Sequence, residues 1–182
     1  MSESVAILFD PANPQHTSLI PAFADIHIAC IETDHMIANF IPPLKRDVVI
    51  AWWNDRVADV VDGKRLIFMV FAQDAEGQDQ LAGYVILYRP LIEDGPFRAF
   101  VEKLLVSPNF RRRGLARKLM EKLDTEAKLR GQTLLMVDTE TGSPAESMYP
   151  KFGYIRLGVI PNYAVSPKGG SLMPNTFFWK QL

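Results

Sequence analysis

The sequence has few of the residues that serve covalent or metal chemistry in small proteins. It has one cysteine, Cys30, so no disulfide can form within the chain, and its three histidines are scattered. Cys30 lies within an apolar run and is predicted to be a buried small residue rather than a nucleophile. Because the histidines and carboxylates do not follow metal-ligand spacing, no metal site is predicted.

The sequence also lacks an excess of charge and any long hydrophobic run. Its 20 basic and 21 acidic side chains give a net charge of -1, which argues against electrostatic binding of the whole surface to nucleic acid or membrane. No apolar stretch is long enough to cross a bilayer, and no basic-then-apolar leader precedes the first predicted strand. We therefore expect a cytoplasmic protein with no membrane and no nucleic-acid partner.

The residues that are present are typical of a globular core. Hydrophobic residues make up 48% of the chain and charged residues 23%, and 182 residues are most simply one domain over 1–182. Periodicity and Gly/Pro breaks predict helices over 18–33, 47–62, 115–130 and 143–149, strands over 4–9, 65–73, 81–89, 98–107, 133–138, 153–160 and 172–182, and a polar loop over 161–171. This order predicts an α/β fold with a mixed central sheet of about seven strands and flanking helices.

One stretch, from Val101 to Ala116, organises the rest. It reads VEKLLVSPNFRRRGLA, which predicts a strand that ends at Pro108 and a basic turn that opens into a helix. The first N–H groups of a helix favour an anion, and Gly114 lets a bulky anion approach the turn. The arginines at 111–113 add charge suited to phosphate, so a phosphate or pyrophosphate site is predicted. Three arginines alone would favour a solvated basic patch, a nucleic-acid contact or a nuclear-import tract.

Two motifs in this half of the chain resemble the GNAT superfamily of N-acetyltransferases. The run RRRGLA at 111–116 is similar to its Q/R-x-x-G-x-G/A pyrophosphate loop, and AESMYPKFGY at 145–154 is similar to its A-x-x-x-Y-x-x-x-G-F/Y block. From residue 101 onwards the chain most resembles the tabtoxin-resistance type of acetyltransferase. The resemblance implies a single-domain GNAT fold and an acetyl-CoA-dependent N-acetyltransferase that needs no metal.

The resemblance also implies which residues bind acetyl-CoA. Backbone groups of Leu104, Leu105 and Val106 would pair with the pantetheine arm as an added strand would, and one N–H would face the thioester oxygen. The turn and the start of the next helix would bind the pyrophosphate. Its residues are Arg111, Arg112, Arg113, Gly114, Leu115, Ala116 and Arg117.

Acyl transfer to an amine needs a base for the amine and an acid for the departing thiolate. Tyr149 matches the family tyrosine proposed as general acid, and a core tyrosine is the alternative. Asp138 resembles an aspartate of the tabtoxin-resistance type that is suited to act as the base. Glu102 is an equal candidate, since strand alternation places it on one face with Phe100 and Leu104. Strand-end capping and salt bridges are the structural alternatives for these acids.

Direct attack by a primary amine in a ternary complex is predicted, because no cysteine is placed to carry an acetyl group. The acceptor is predicted to be a small molecule, amino-acid-like or toxin-like, bordered by Trp52 or Trp53, Asp138, Glu140 and Tyr163. A protein or peptide lysine, or acyl-CoA binding without catalysis, is the alternative. Closing strands in this superfamily often pair between subunits, so the resemblance leaves both a homodimer and a monomer open.

Overall fold

A seven-stranded mixed sheet forms the centre of the computed structural model, which describes residues 4–182. The strands are β1 Ala6–Leu8, β2 Arg65–Gln73, β3 Asp79–Tyr88, β4 Arg98–Val106, β5 Leu134–Glu140, β6 Ile155–Val165 and β7 Leu172–Gln181. The helices are α1 Pro14–Thr17, α2 Ile20–Asp34, α3 Arg46–Val61, α4 Leu115–Leu129 and α5 Pro144–Met148. The sheet order is β1-β2-β3-β4-β5-β7-β6; β4 and β5 pair in parallel and the other neighbours antiparallel. The predicted α/β fold with a mixed sheet is confirmed.

Hydrophobic layers cover both faces of the sheet. Along β2, Phe68 belongs to the layer that contains α4, whereas its neighbour Ile67 belongs to the layer that contains α2 and α3. In the second layer Trp53 is fully buried, and its ring stacks on Phe23 with 4.9 Å between centroids. Both layers pack on β2, β3 and β4, so these strands lie between the two parts of the core.

The ladder between β4 and β5 is short. Arg98–Phe100 pairs with Leu134–Met136, and beyond these residues the two strands separate. β4 also contains a bulge opposite Val85, where Lys103 adopts a φ of 51°. The last part of β4 therefore faces a gap on the side of β5, and its backbone groups on that side are available to a ligand.

The bulge changes the direction of the side chains along β4. Leu104 packs on the layer that contains α4, whereas Glu102 pairs with Arg65 on the side of α3. Because two residues oppose one at a bulge, side chains on its two sides no longer alternate regularly. The prediction that Glu102 and Leu104 share a face is wrong.

The strand β6 is longer than predicted. It continues to Val165, so residues 161–165 belong to a strand, and the loop begins only after them. The register between β6 and β7 shifts between Ile160 and Ala164, and Asn162 there adopts a φ of 53°. Pro161 has no N–H for a ladder, and proline is tolerated on edge strands and at bulges such as this one. The prediction of a strand end at residue 160 and a loop from residue 161 is therefore wrong, because the strand continues beyond this irregularity.

The helices and β1 show smaller differences. α2 and α3 lie within two residues of their predicted bounds, whereas β1 covers only half of the strand predicted at 4–9. The short α1 was not predicted; its N-cap, Asn13, accepts a hydrogen bond from the Gln15 N–H. Val61, the last residue of α3, is 71% exposed. Over residues 4–182, no helix has both the length and the apolar character needed to cross a bilayer.

Candidate active site

A cavity of about 790 Å³ opens where β4 and β5 separate. Leu104, Leu105 and Val106 of β4 form one wall, and Thr139 and Glu140 of β5 lie on the other side. The β4 residues are those predicted to pair with a pantetheine arm, and this part of their strand has no β5 partner. An extended ligand can therefore bind this edge as an added strand would.

The cavity continues to the turn that precedes α4. After the short 3-10 turn Pro108–Phe110, Arg112 adopts a φ of 61°, and Gly114, the N-cap of α4, a φ of 75°. The Gly114 cap has no side chain to accept from the first N–H groups of α4, so these groups can bind an anion. A Cβ built on Gly114 meets no atom within 4 Å, so the left-handed backbone, rather than lack of space, favours glycine here.

The three arginines of this turn have different environments. Arg111 borders the cavity, and its guanidinium donates to both carboxylate oxygens of Asp34, at 2.8 and 2.5 Å. Arg112 is exposed and also borders the cavity. Arg113 instead donates to the Gln73 carbonyl at 2.9 Å and is not part of the cavity wall. The structure thus brings two of the three predicted arginines to the cavity.

The start of α4 and the segment after α5 form the basic end of the cavity. Leu115, Ala116 and Arg117 line it, and the Arg117 guanidinium lies 5.2 Å from the centroid of the Phe152 ring. Lys151 lines it as well and was not identified from the sequence, because a single lysine beside a proline follows no pattern. This end therefore combines free helix N–H groups with positive charge, which suits a pyrophosphate.

Cys30 is buried as predicted, and it also borders the cavity. Its thiol donates to the Val106 carbonyl at 3.5 Å and accepts from the Arg111 guanidinium at 3.6 Å. Burial raises the pKa of this thiol in spite of the nearby arginine, so the nucleophilic thiolate is disfavoured.

Tyr149 begins the 3-10 turn that follows α5. Its ring is buried against Tyr154 and Phe178, with centroids 5.6 and 5.7 Å away. Burial, and after it the negative charge of Asp138, raises the pKa of Tyr149 well above its ordinary value. The phenol therefore keeps its proton at neutral pH.

Asp138 is exposed on β5, near enough to Tyr149 for its charge to act on the phenol. Its Oδ2 atom accepts a hydrogen bond of 2.8 Å from the side-chain amide of Asn175. Asn175 is buried on β7 and so fixes the orientation of the carboxylate; nothing in the sequence pointed to it. The structure brings two of the three predicted catalytic side chains, Asp138 and Tyr149, close to each other.

Glu102, the third of these side chains, belongs to an ion-pair network. The Arg65 Nε atom donates to its Oε2 atom at 3.2 Å, and the same guanidinium pairs with Asp59 of α3. The carboxylate of Glu102 is therefore held by this network on the side of α3. The predicted salt-bridge alternative for Glu102 is present, with Arg65 as the partner.

Glu140 lines the cavity on the side of β5. Burial raises the pKa of its carboxyl group, and a hydrogen bond from the Ile37 backbone opposes that shift. Glu140 of β5 and Ile37, in the segment between α2 and α3, both line the cavity.

The two adjacent tryptophans differ in burial. Trp53 is fully buried, whereas Trp52 is partly exposed and has the Arg56 guanidinium 4.8 Å from its ring centroid. Trp52 also packs edge-on against His27, at 5.5 Å. The His27 Nε2 atom lies 2.8 Å from the Ala38 carbonyl, and burial lowers the pKa of His27 to about 4, so the ring is neutral. Trp52 is thus the tryptophan that can border an acceptor.

Tyr163 lies on β6 at the other side of the same region. Its side chain is partly exposed, and its ring packs edge-on against Phe177 at 5.2 Å. Burial, and after it the charge of Asp138, raises the pKa of Tyr163. Tyr163 and Asp138 therefore face the same region of the molecule.

A parallel pair of strands that separates above a basic, glycine-capped helix start defines an acyltransferase architecture. The sequence model of the Acetyltransferase (GNAT) family matches residues 28–154, well over half of the chain. The chain belongs to this family. The predicted acetyl-CoA-dependent acetyltransferase is thereby confirmed at the level of the family, whereas the tabtoxin-resistance type is not resolved by this match.

Solved structures of low sequence identity share the fold. YncA from Salmonella typhimurium, solved with its cofactor acetyl-CoA, is 20% identical, with a TM-score of 0.74 over 100% of this chain and 95% of that one. The Salmonella typhimurium acetyl transferase that modifies the N-terminal serine of ribosomal protein L7/L12 is 12% identical, with a TM-score of 0.76 over 100% and 96%. A ribosomal-protein-alanine N-acetyltransferase from Brucella melitensis is 21% identical, with a TM-score of 0.70 over 91% and 96%.

The residues of the cavity fit acetyl-CoA. The free edge of β4 offers backbone groups to a pantetheine arm, and the N-terminus of α4 with Arg112, Arg117 and Lys151 offers donors and charge to a pyrophosphate. When bound, acetyl-CoA supplies an activated thioester carbonyl. The roles of the individual residues remain predictions.

Proposed function

We propose that this protein transfers the acetyl group of acetyl-CoA to a primary amine of a small molecule by direct attack in a ternary complex. The observation that carries the proposal is the neighbouring pair of Asp138 and Tyr149 beside the gap between β4 and β5. One member is an exposed carboxylate with a free oxygen, and the other is a phenol that keeps its proton. These are the two states that a base and an acid need before the reaction starts.

The proposed roles follow from these states. Asp138 accepts a proton from the acceptor ammonium, directly or through water, and the neutral amine that results attacks the thioester carbonyl to form the new N–C bond. The C–S bond then breaks, the departing thiolate takes the proton of the Tyr149 hydroxyl, and the phenolate regains a proton, directly or through water, from the positively charged nitrogen of the adduct. A phenol of high pKa is a weak acid toward water, but a thiolate held beside it in a partly buried site can accept the proton.

Direct attack is supported by the environment of the single cysteine. Cys30 lies beside Arg111 in the pyrophosphate turn, and its thiol has a raised pKa. A thiol that is buried and protonated there is not suited to accept an acetyl group. A cytoplasmic location, expected from the sequence, is part of the same proposal.

A protein or peptide amine is the second candidate acceptor. Two of the similar structures are enzymes that act on ribosomal proteins, which favours this candidate, although their identity to this chain is low. Exposed surface around Asp138 would also admit the end of a peptide. Free amines and N-terminal peptides therefore belong in one substrate panel.

The first test of the proposal is thermal unfolding with acetyl-CoA, followed by measurement of CoA release with that panel. At 100 times the dissociation constant, acetyl-CoA should stabilise the protein by about 2.7 kcal/mol, which raises the melting temperature by roughly 5–10 °C. Release of CoA that depends on a small amine supports the proposal. Stabilisation without release for any amine would instead indicate an acyl-CoA-binding module, and a trapped acetyl-protein would contradict direct attack.

A further inference from the structure

The bulge in β4 holds a lysine with an unusual environment. Lys103 adopts a φ of 51°, a conformation that costs free energy for any residue with a Cβ, and its side chain is partly buried. Within residues 4–182 its ammonium group forms no hydrogen bond and no ion pair, and burial lowers its pKa even though Glu102 and Asp138 are near. A partly buried cation without a partner is unfavourable unless an anion binds it.

Both neighbouring carboxylates have other partners. Glu102 pairs with Arg65, which also pairs with Asp59. The Oδ2 atom of Asp138 accepts from the neutral amide of Asn175. Lys103 is therefore left as the unpaired positive charge of this group, while Asp138 is a negative charge bound only by a neutral donor.

The ammonium group of Lys103 lies on the acceptor side of β4. Its charge acts on His27 of α2 and is acted on by Arg56 of α3, which are the residues that pack around Trp52. Lys103 and Asp138 come soon after the last paired residues of the two strands, Phe100 of β4 and Met136 of β5, so they lie on the two sides of the gap. The charge of Asp138 also acts on Lys103. A free cation and a free carboxylate oxygen are thus close together on the side where the acceptor would enter.

A ligand that matches this pair has an amine and an anionic group a short distance apart. An α-amino acid carries both on one carbon, whereas the side chain of a peptide lysine or a simple alkylamine has no anionic group beside its nitrogen. We propose that Lys103 binds the carboxylate of a free α-amino acid or a close analogue, while Asp138 receives its amine. This inference rests on the proposed function and specifies its acceptor class.

The test compares free L-amino acids with their primary amides, which keep the amine and lose the negative charge. The wild-type kcat/KM is expected to be at least about tenfold higher for the acids, because a charge-assisted hydrogen bond contributes about 1.5–3 kcal/mol. Lys103→Met should lower kcat/KM for the acids by roughly 10–100-fold, mainly through KM, and leave the amides within about twofold. Lys103→Arg should recover part of the preference.

Two controls separate this role from a structural one. Lys64→Met removes an exposed lysine that pairs with Asp62, and it should change neither substrate class. The melting temperature of Lys103→Met, with and without acetyl-CoA, reports folding and donor binding independently of the acceptor. The wild-type comparison of acids with amides keeps the inference testable even where Lys103→Met fails to fold.

The outcomes distinguish the inference from the proposed function. The inference is overturned if the wild type has equal kcat/KM for acids and amides, or if Lys103→Met lowers kcat/KM equally for both classes. In either case the proposed acetyltransferase activity is unaffected. Preference for an N-terminal peptide over free amino acids overturns it as well. Failure to transfer acetyl to any amine would overturn both.

Discussion

The two sides of the gap between β4 and β5 are built in different ways. The side proposed to bind the donor is nearly continuous in sequence: β4, the turn and the first residues of α4 supply most of it within 104–117. The side proposed to bind the acceptor combines α2, α3, β4, β5, β6 and β7, through residues such as Trp52, Lys103, Asp138, Tyr163 and Asn175. A continuous site can be predicted from a motif, whereas a site assembled from distant elements cannot.

The electrostatics of the two sides also differ. The donor side has helix N–H groups and exposed basic side chains around one end, which suits a ligand with several negative charges. The acceptor side holds cations and acids that mostly compensate each other, among them Arg65, Asp59 and Glu102. Changes on the donor side should therefore affect binding of the nucleotide, and changes on the acceptor side should affect turnover and selectivity.

The largest effect is expected at Gly114. Gly114→Trp should abolish the stabilisation by acetyl-CoA, because a large side chain at the N-cap of α4 would occupy the anion site. Gly131→Trp is a matched control: both glycines have a φ of 75° and open space around a Cβ, but Gly131 follows the other end of α4. Thermal unfolding with and without acetyl-CoA is measured for both variants. An equal loss of the stabilisation by acetyl-CoA in the two variants would contradict an anion site at Gly114.

The next largest effect is expected at Asp138. Asp138→Asn should lower kcat by about 10³-fold, since loss of a general base typically costs 10²–10⁴, and should leave acetyl-CoA binding intact. Glu102→Gln is its control, because Glu102 already pairs with Arg65, and a change in turnover of less than about tenfold is expected. Steady-state rates at saturating acetyl-CoA test both variants. A larger loss of kcat in Glu102→Gln than in Asp138→Asn would indicate that Glu102, and not Asp138, is the base.

A smaller effect on turnover is expected at Tyr149. Tyr149→Phe should lower kcat by about 10²-fold, because the departing thiolate loses its proton donor while the buried ring remains. Tyr154→Phe provides the control: among the residues that the structure describes, its buried hydroxyl has no hydrogen-bond partner, so its removal should leave kcat nearly unchanged. Rates measured with good and poor leaving thioesters check the assignment, since an acid matters most for the poor leaving group.

The smallest effect concerns stability on the acceptor side. Burial lowers the pKa of folded His27 to about 4 from its ordinary value of 6.5, so between these pH values the unfolded chain binds a proton more readily than the folded protein does. Neutral His27 therefore makes its full contribution to the free energy of unfolding above pH 6.5, and this contribution is lost as the pH falls toward 4. The loss amounts to about 2–3 kcal/mol, since a difference of one in pKa corresponds to about 1.36 kcal/mol. The free energy of unfolding, measured with urea over this pH range, should depend less on pH in His27→Gln than in the wild type. His35→Gln, which changes an exposed histidine, should behave as the wild type.

The sequence by itself determined the class of fold and predicted the proposed donor site. The order of helices and strands follows from local periodicity, and the predicted pyrophosphate turn with Gly114 follows from a few adjacent residues. Tyr149 was located in the same way, from its spacing to Gly153. Each of these features depends on interactions within one element or one turn, which a linear pattern records.

Only the tertiary structure decided how the charged groups pair and which side chains face the acceptor. Two pairs show this: Glu102 with Arg65, and Asp138 with Asn175. In each pair the two residues lie on different strands and are 37 positions apart in the sequence. The direction of Lys103 depends on a bulge opposite β3, and the same bulge ended the regular alternation from which Glu102 had been placed. Register and long-range packing fix these choices, because a shift of one residue in a strand turns each side chain to the other face.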